Sequence, residues 1–131
     1  MSEKTKKYDL EARLIAFAIQ IMKLTDQLPL SKAGNALGNQ IIRSGTSPAL
    51  NYGEAQSAES RKDFIHKLRI ILKELRETSV CLKLIIGSEI SSDNITLSNL
   101  MTECNELISI FVKSIETAKR KIESTKVNKE Y

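Results

Sequence analysis

The chain has 131 residues, 41% hydrophobic and 27% charged, with a formal net charge of +4, which is room for one soluble domain and not two. Aromatics make up 5%, Trp is absent, and there are five Gly and two Pro. That composition excludes a sheet protein of many short strands and calls for a core of Leu, Ile and Val. No apolar run approaches the roughly 18–20 residues needed to cross a membrane, and Met1-Ser2-Glu3-Lys4 leads into no apolar signal segment.

Charge is unevenly placed. Residues 61–86 carry seven Lys or Arg against three acids, residues 87–118 one Lys against five acids, and the end from Lys119 five bases against two acids. Such segments suit contact with nucleic acid, with an acidic partner or between subunits. Cys81 and Cys104 fall at apolar positions of predicted helices. Two cysteines make no disulfide framework, so buried free thiols and a cytoplasmic chain are expected.

Residues 1–7 are polar and expected to be disordered. From Leu10 the apolar positions Leu14, Phe17, Ile21, Leu24 and Leu28 step by three or four, the seam of a bundle helix. Pro29 ends it, and Ser31 is placed to cap the next segment. That second segment, about Lys32 to Ala55, holds Gly34, Gly38, Gly45 and Gly53 and also Pro48. A kinked or broken helix is expected near Pro48, with small residues that let a neighbour approach and a short apolar face at Leu37, Ile41 and Ile42. Ser57 or Ser60 opens the third helix, Ser60 with Asp63 resembling a capping box. Its seam is Phe64, Leu68, Ile71, Leu75, Leu82 and Ile85 or Ile86, and Gly87 is its expected stop. After a polar loop, Asn94 or Thr96 caps a fourth helix with the seam Leu97, Met101, Cys104, Ile108, Phe111, Ile115, Ala118 and Ile122. The basic tail, residues 124–131, is expected to be disordered.

Helices of similar length joined by short loops predict an all-α, antiparallel up-down-up-down four-helix bundle over residues 8–123, its second helix kinked near Pro48. A three-helix domain with an irregular second segment and a long helical hairpin are the alternatives.

On the third helix Lys62, Arg69, Arg76 and Lys83 recur every seven residues, with Lys73 beside them. This basic stripe reads either as a solvated flank or as a docking surface for phosphates or acids. Asp63–Lys67 and Lys73–Glu77 have the spacing of intrahelical ion pairs. Ile70, Val80, Cys81 and Leu84 are expected on the far side of the helix. A helix apolar on two faces is usually buried on two faces, so a subunit interface and a homo-oligomer are expected. Ile15, Ile19 and Met22 give the first helix a similar, weaker outer patch.

Chemistry is sparse. His66 is the only histidine and has no ligand-type neighbour at helical spacing, so neither a zinc site nor a serine triad is expected. The glycines lack the Gly-Lys-Ser/Thr ending of a phosphate loop. No cofactor, metal or catalytic set is expected, and an enzyme would need a polar pocket between subunits near Arg43 and Glu54.

One stretch is distinctive. Gln40-Ile41-Ile42-Arg43-Ser44-Gly45-Thr46-Ser47-Pro48-Ala49-Leu50-Asn51-Tyr52-Gly53-Glu54-Ala55 is followed by Ser57, by Ser60-Arg61-Lys62-Asp63-Phe64 and by Leu72-Lys73-Glu74-Leu75-Arg76-Glu77. It resembles the four-helix-bundle family encoded by intervening sequences of bacterial large-subunit ribosomal RNA genes, also labelled a ribosomal protein family. Gln40, Arg43, Ser47, Asn51, Glu54 and Arg61 match the family pattern; Pro48 stands one residue early and Ala55 replaces a Gly. The resemblance implies a ring-like homopentamer. Its similarity to accessory bundle proteins of diversity-generating retroelements implies nucleic acid, RNA or DNA, and a protein partner. Near a Pro kink Asn51 and Glu54 have a structural reading as well as a ligand one, and Arg43 could reach Glu54 only through the kink or a neighbouring subunit. The functional expectation is a non-enzymatic bundle with a nucleic-acid or ribonucleoprotein role; the alternative is a protein-interaction scaffold.

Overall fold

The computed structural model describes the backbone of residues 3–130 and the side chains of residues 10–124. Four helices occur and, among the described residues, no strand: α1 Glu3–Gln27, α2 Lys32–Gln56, α3 Arg61–Ser88 and α4 Asn94–Glu130. The helical backbone therefore runs beyond the expected bounds of 8 and 123. The side chains of residues 1–7 and 125–131, where disorder was expected, lie outside the described residues.

The helices pack as a four-helix bundle: α2 lies against α1 and α3, α4 against α3, and α1 meets α4 along a thinner seam. Polar side chains tie the neighbouring helices together. On α2 and α3, Ser44 meets Thr78 and Glu54 meets Lys67. On α3 and α4, the Cys104 thiol donates to the Leu75 carbonyl at 3.3 Å. The α1–α4 seam is held by Arg13, whose guanidinium donates to Glu103 and Glu106. Those hydrogen bonds, Glu103's foremost, raise the Arg13 pKa against the opposing effect of burial.

Apolar periodicity explains most of the core. Leu14, Phe17, Ile21, Leu24 and Leu28 of α1 are buried, as are Leu68, Ile71, Leu75, Leu82 and Ile85 of α3. Leu97, Cys104, Phe111, Ile115 and Ala118 of α4 join them, together with Leu100 and Leu107 from outside the expected seam. A helix that touches two neighbours needs a wider apolar stripe than one seam provides. Cys81 and Cys104 are both free and buried. Burial, the largest cause in each, raises the Cys81 thiol and pushes Cys104 up to about 12.

Helix ends follow local chemistry. Ser31 and Ser60 accept from the N–H groups of Gly34 and Asp63 at 3.0 and 3.1 Å, the N-cap bonds that satisfy otherwise orphaned donors. Two ends differ from expectation. Gly87 stays helical, and the left-handed residue after α3 is Glu89, at φ 56°. The cap of α4 is Asp93, whose carboxylate accepts from the Thr96 N–H at 3.1 Å. Hydrogen bonds from Thr96 hold its pKa below the ordinary carboxylate value.

α2 is one helix with Pro48 inside it and is not broken there. Side chains brace the neighbouring turns: Thr46 donates to the Ile42 carbonyl at 2.6 Å, and Asn51 donates to the carbonyl and hydroxyl of Ser47 at 3.0 and 2.8 Å. Burial of Pro48, Tyr52 and Ala55 then holds the second half of the helix in the bundle. Gly45 sets the crossing with α1. A Cβ there would lie 2.8 Å from Cγ2 and 2.9 Å from Cγ1 of Ile21, a buried, β-branched side chain with little freedom to turn. Gly45→Ala should therefore destabilise the protein by about 1–3 kcal/mol, although Ala favours helix by about 1 kcal/mol. Gly53 has nothing within 4 Å, so Gly53→Ala should stabilise by about 0.5–1 kcal/mol. Urea denaturation reads both, and equal signs would contradict this close crossing.

Candidate functional site

The two stretches of the distinctive motif meet in space. Arg43 of α2 donates from Nη2 to Glu77 at 2.8 Å and from Nη1 to Glu74 at 3.4 Å, both on α3. Glu54 accepts from Lys67 of α3 at 2.7 Å. Beside the Arg43 pair the Thr78 hydroxyl donates to the Ser44 hydroxyl at 2.9 Å inside the core. Tyr52 sets its ring edge-on to Phe111 of α4, centroids 6.0 Å apart. Arg43, Asn51 and Glu54 thus have partners within the chain. Arg43 and Glu54 do not pair, because each turns toward α3 from a different turn of α2. The expected pairs Asp63–Lys67 and Lys73–Glu77 are likewise absent, since Lys67 and Glu77 take partners on α2 instead.

Beside this clasp lies an open groove of about 690 Å³ between α2 and α3. Leu37 and Gln40 come from α2; Leu72, Val80, Cys81 and Leu84 give the α3 side an apolar surface, and Arg69, Lys73, Arg76 and Glu77 edge it. Val80 and Leu84 are 54% and 52% exposed, so the apolar surface is open to solvent. The basic stripe and the apolar outer positions of α3 therefore form one surface. At 100° per residue Val80 stands among the cations and not behind them.

Lys62, Arg69, Lys73, Arg76 and Lys83 are all exposed, and among the described residues none of the five makes an ion pair. Lys62 and Lys83 lie outside the groove lining. Ile70, expected in the subunit interface, is partly buried and is not in that lining. Cys81, expected on the outer face, is buried in the chain itself. Arg61 lines a second, smaller cleft of about 450 Å³ with Phe64, Lys113, Thr117 and Lys121, where α3 begins against α4. Sequence reading missed Lys113 and Lys121 at this cleft, and Leu72 in the groove. Leu72 does have a signal, since it follows Leu68 by four residues on the Arg69–Arg76 side.

His66 is exposed. Among the described residues no three His, Cys, Asp or Glu side chains gather to hold a metal ion. No helix among them is long and apolar enough to cross a membrane.

Fold and groove together define a four-helix bundle with a basic-edged apolar surface along one helix pair. The chain belongs to the 23S rRNA-intervening sequence protein family, whose model matches residues 6–113. It is also similar to a solved structure from Bacteroides thetaiotaomicron, described as a protein with unknown function from the S23 ribosomal protein family. The two share 33% identity at a TM-score of 0.75, over 81% of this chain and 97% of that one. Among curated proteins none matches the chain. Neither the family description nor the neighbour's name indicates an enzymatic class.

Proposed function

We propose that this chain is a non-enzymatic, homo-oligomeric bundle of the cytoplasm that associates with nucleic acid or a ribonucleoprotein through the cations of α3. The observation that carries the reading is the stripe itself: five exposed cations from Lys62 to Lys83 without acidic partners of their own. It extends over about 32 Å of helix. Phosphates are the ligands such a row serves best. Each one neutralised releases counterions, so binding weakens steeply with salt and reads little sequence. The assembly has five copies if it follows the bundles it resembles, and its two free thiols suit a reducing compartment.

Filter binding of labelled RNA and DNA across ionic strength tests the nucleic-acid role. Retention at low salt that falls with a log–log slope of about −0.7 to −0.9 per contacted phosphate is expected. No retention of either at low ionic strength overturns it. The apolar lining of the groove favours a second reading, a protein-interaction scaffold, since a phosphate backbone has no use for Val80 and Leu84. A protein partner would then be retained at salt concentrations that release nucleic acid.

A further inference from the structure

The groove between α2 and α3 has a counterpart on the same molecule. α1 buries Leu14, Phe17, Ile21 and Leu24, while Ile15, Ile19 and Met22 stand 46%, 46% and 48% exposed. At 100° per residue these three fall within an arc of about 80°, roughly 140° round the helix from the buried seam. Exposed Glu11 and Asp26 share that arc. The outer face of α1 is therefore an apolar ridge with an acid at each end, about 22 Å long. The α3 side of the groove, from Arg69 to Leu84, covers the same number of helical steps, again about 22 Å. Its polarity is complementary: an apolar surface edged by Arg69, Lys73 and Arg76, with Glu77 of the lining already paired to Arg43 and Lys83 just outside the lining next to Leu84. The ridge does not fill the groove of its own chain, because among the described residues α1 and α3 make no packing contact.

Resting on the homo-oligomeric reading above, we propose that the outer ridge of α1 from one copy seats in the α2–α3 groove of the next. Ile15, Ile19 and Met22 cover Val80 and Leu84, and Glu11 and Asp26 approach the cations that edge the groove, which leaves Lys62 outside the groove, with Arg61 beside it at the start of α3, as the cations open to phosphate in the assembly. Charge rejects the two like-to-like contacts. Groove against groove sets three cations against three cations, and ridge against ridge sets acids against acids. Ridge and groove are different surfaces, so every copy offers both. The contact repeats head to tail and ends only when the ring closes.

That asymmetry gives a decisive experiment. Ile19→Asp spoils the ridge and leaves the groove; Val80→Asp does the reverse. Both sites are about half exposed, so the fold should hold, which circular dichroism checks. Light scattering without nucleic acid should find wild type assembled and each variant alone at 14.7 kDa. Their equimolar mixture should double that mass and go no further, since one good ridge meets one good groove. Met22→Asp with Leu84→Asp should behave in the same way. Wild type assembled but mixtures that stay at monomer mass, or single variants that still assemble, overturn this docking and leave the oligomer standing. A monomeric wild type overturns the oligomeric reading and this docking with it.

Discussion

Replacing Phe111 with alanine should lower the unfolding free energy by about 3–5 kcal/mol. Phe111 is fully buried at the middle of α4, and Tyr52 of α2 meets it edge-on at 81°. Truncation removes the transfer free energy of the ring and strips Tyr52 of its aromatic partner. It also opens a cavity among side chains that are themselves fully buried, which limits how far the site can collapse. A domain of this size has a net stability of about 5–15 kcal/mol, so the variant should lose a large part of it. The urea midpoint should fall sharply with an unchanged slope. Ile42→Ala on the outer face of α2, where the side chain is 37% exposed, should cost well under half as much. Comparable losses at both positions would contradict a core centred between α2 and α4.

The double variant Arg61→Glu/Lys62→Glu should weaken RNA binding by about 10–100-fold near 0.1 M salt, the effect of losing two phosphate contacts from a log–log salt dependence. Both residues are exposed at the start of α3 and outside the groove. Arg61 shares its cleft with Lys113 and Lys121, so reversal here strikes where cations from two helices converge. Acids in the first turn of a helix are favoured by its dipole, so stability should be unchanged or slightly raised. Filter binding at several salt concentrations should give a shallower slope as well as a weaker constant. An unchanged slope would remove this end of α3 from the interface. Loss of assembly in the same variant would show that the two surfaces are not separate.

The bundle was legible because its cause is local. Leu14 to Leu28 repeat at three and four, and a helix with one buried side needs nothing else to be recognised. Leu100 and Leu107 escaped the same reading because α4 touches both α3 and α1, and a one-dimensional period does not report a second neighbour. Ion pairs were the least legible part. Lys67 and Glu77 have partners in reach on their own helix, yet both turn to α2, where Glu54 and Arg43 stand beside them. That choice depends on how α2 and α3 are placed together. The same placement explains the motif: Arg43 and the Glu74–Glu77 segment lie some thirty residues apart in sequence and belong to one clasp. The basic stripe was readable from its seven-residue step. Its union with Val80 was readable too, since steps of 100° put Val80 among the cations; the groove was not, because it needs Leu37 and Gln40 of α2 to close its other side.

Light scattering of the purified protein with and without RNA decides whether this is an assembling bundle whose α3 cations take nucleic acid. At low salt the protein alone should show a multiple of 14.7 kDa, and adding RNA should raise that mass in a way that salt reverses. A particle of 14.7 kDa that RNA leaves unchanged would contradict it.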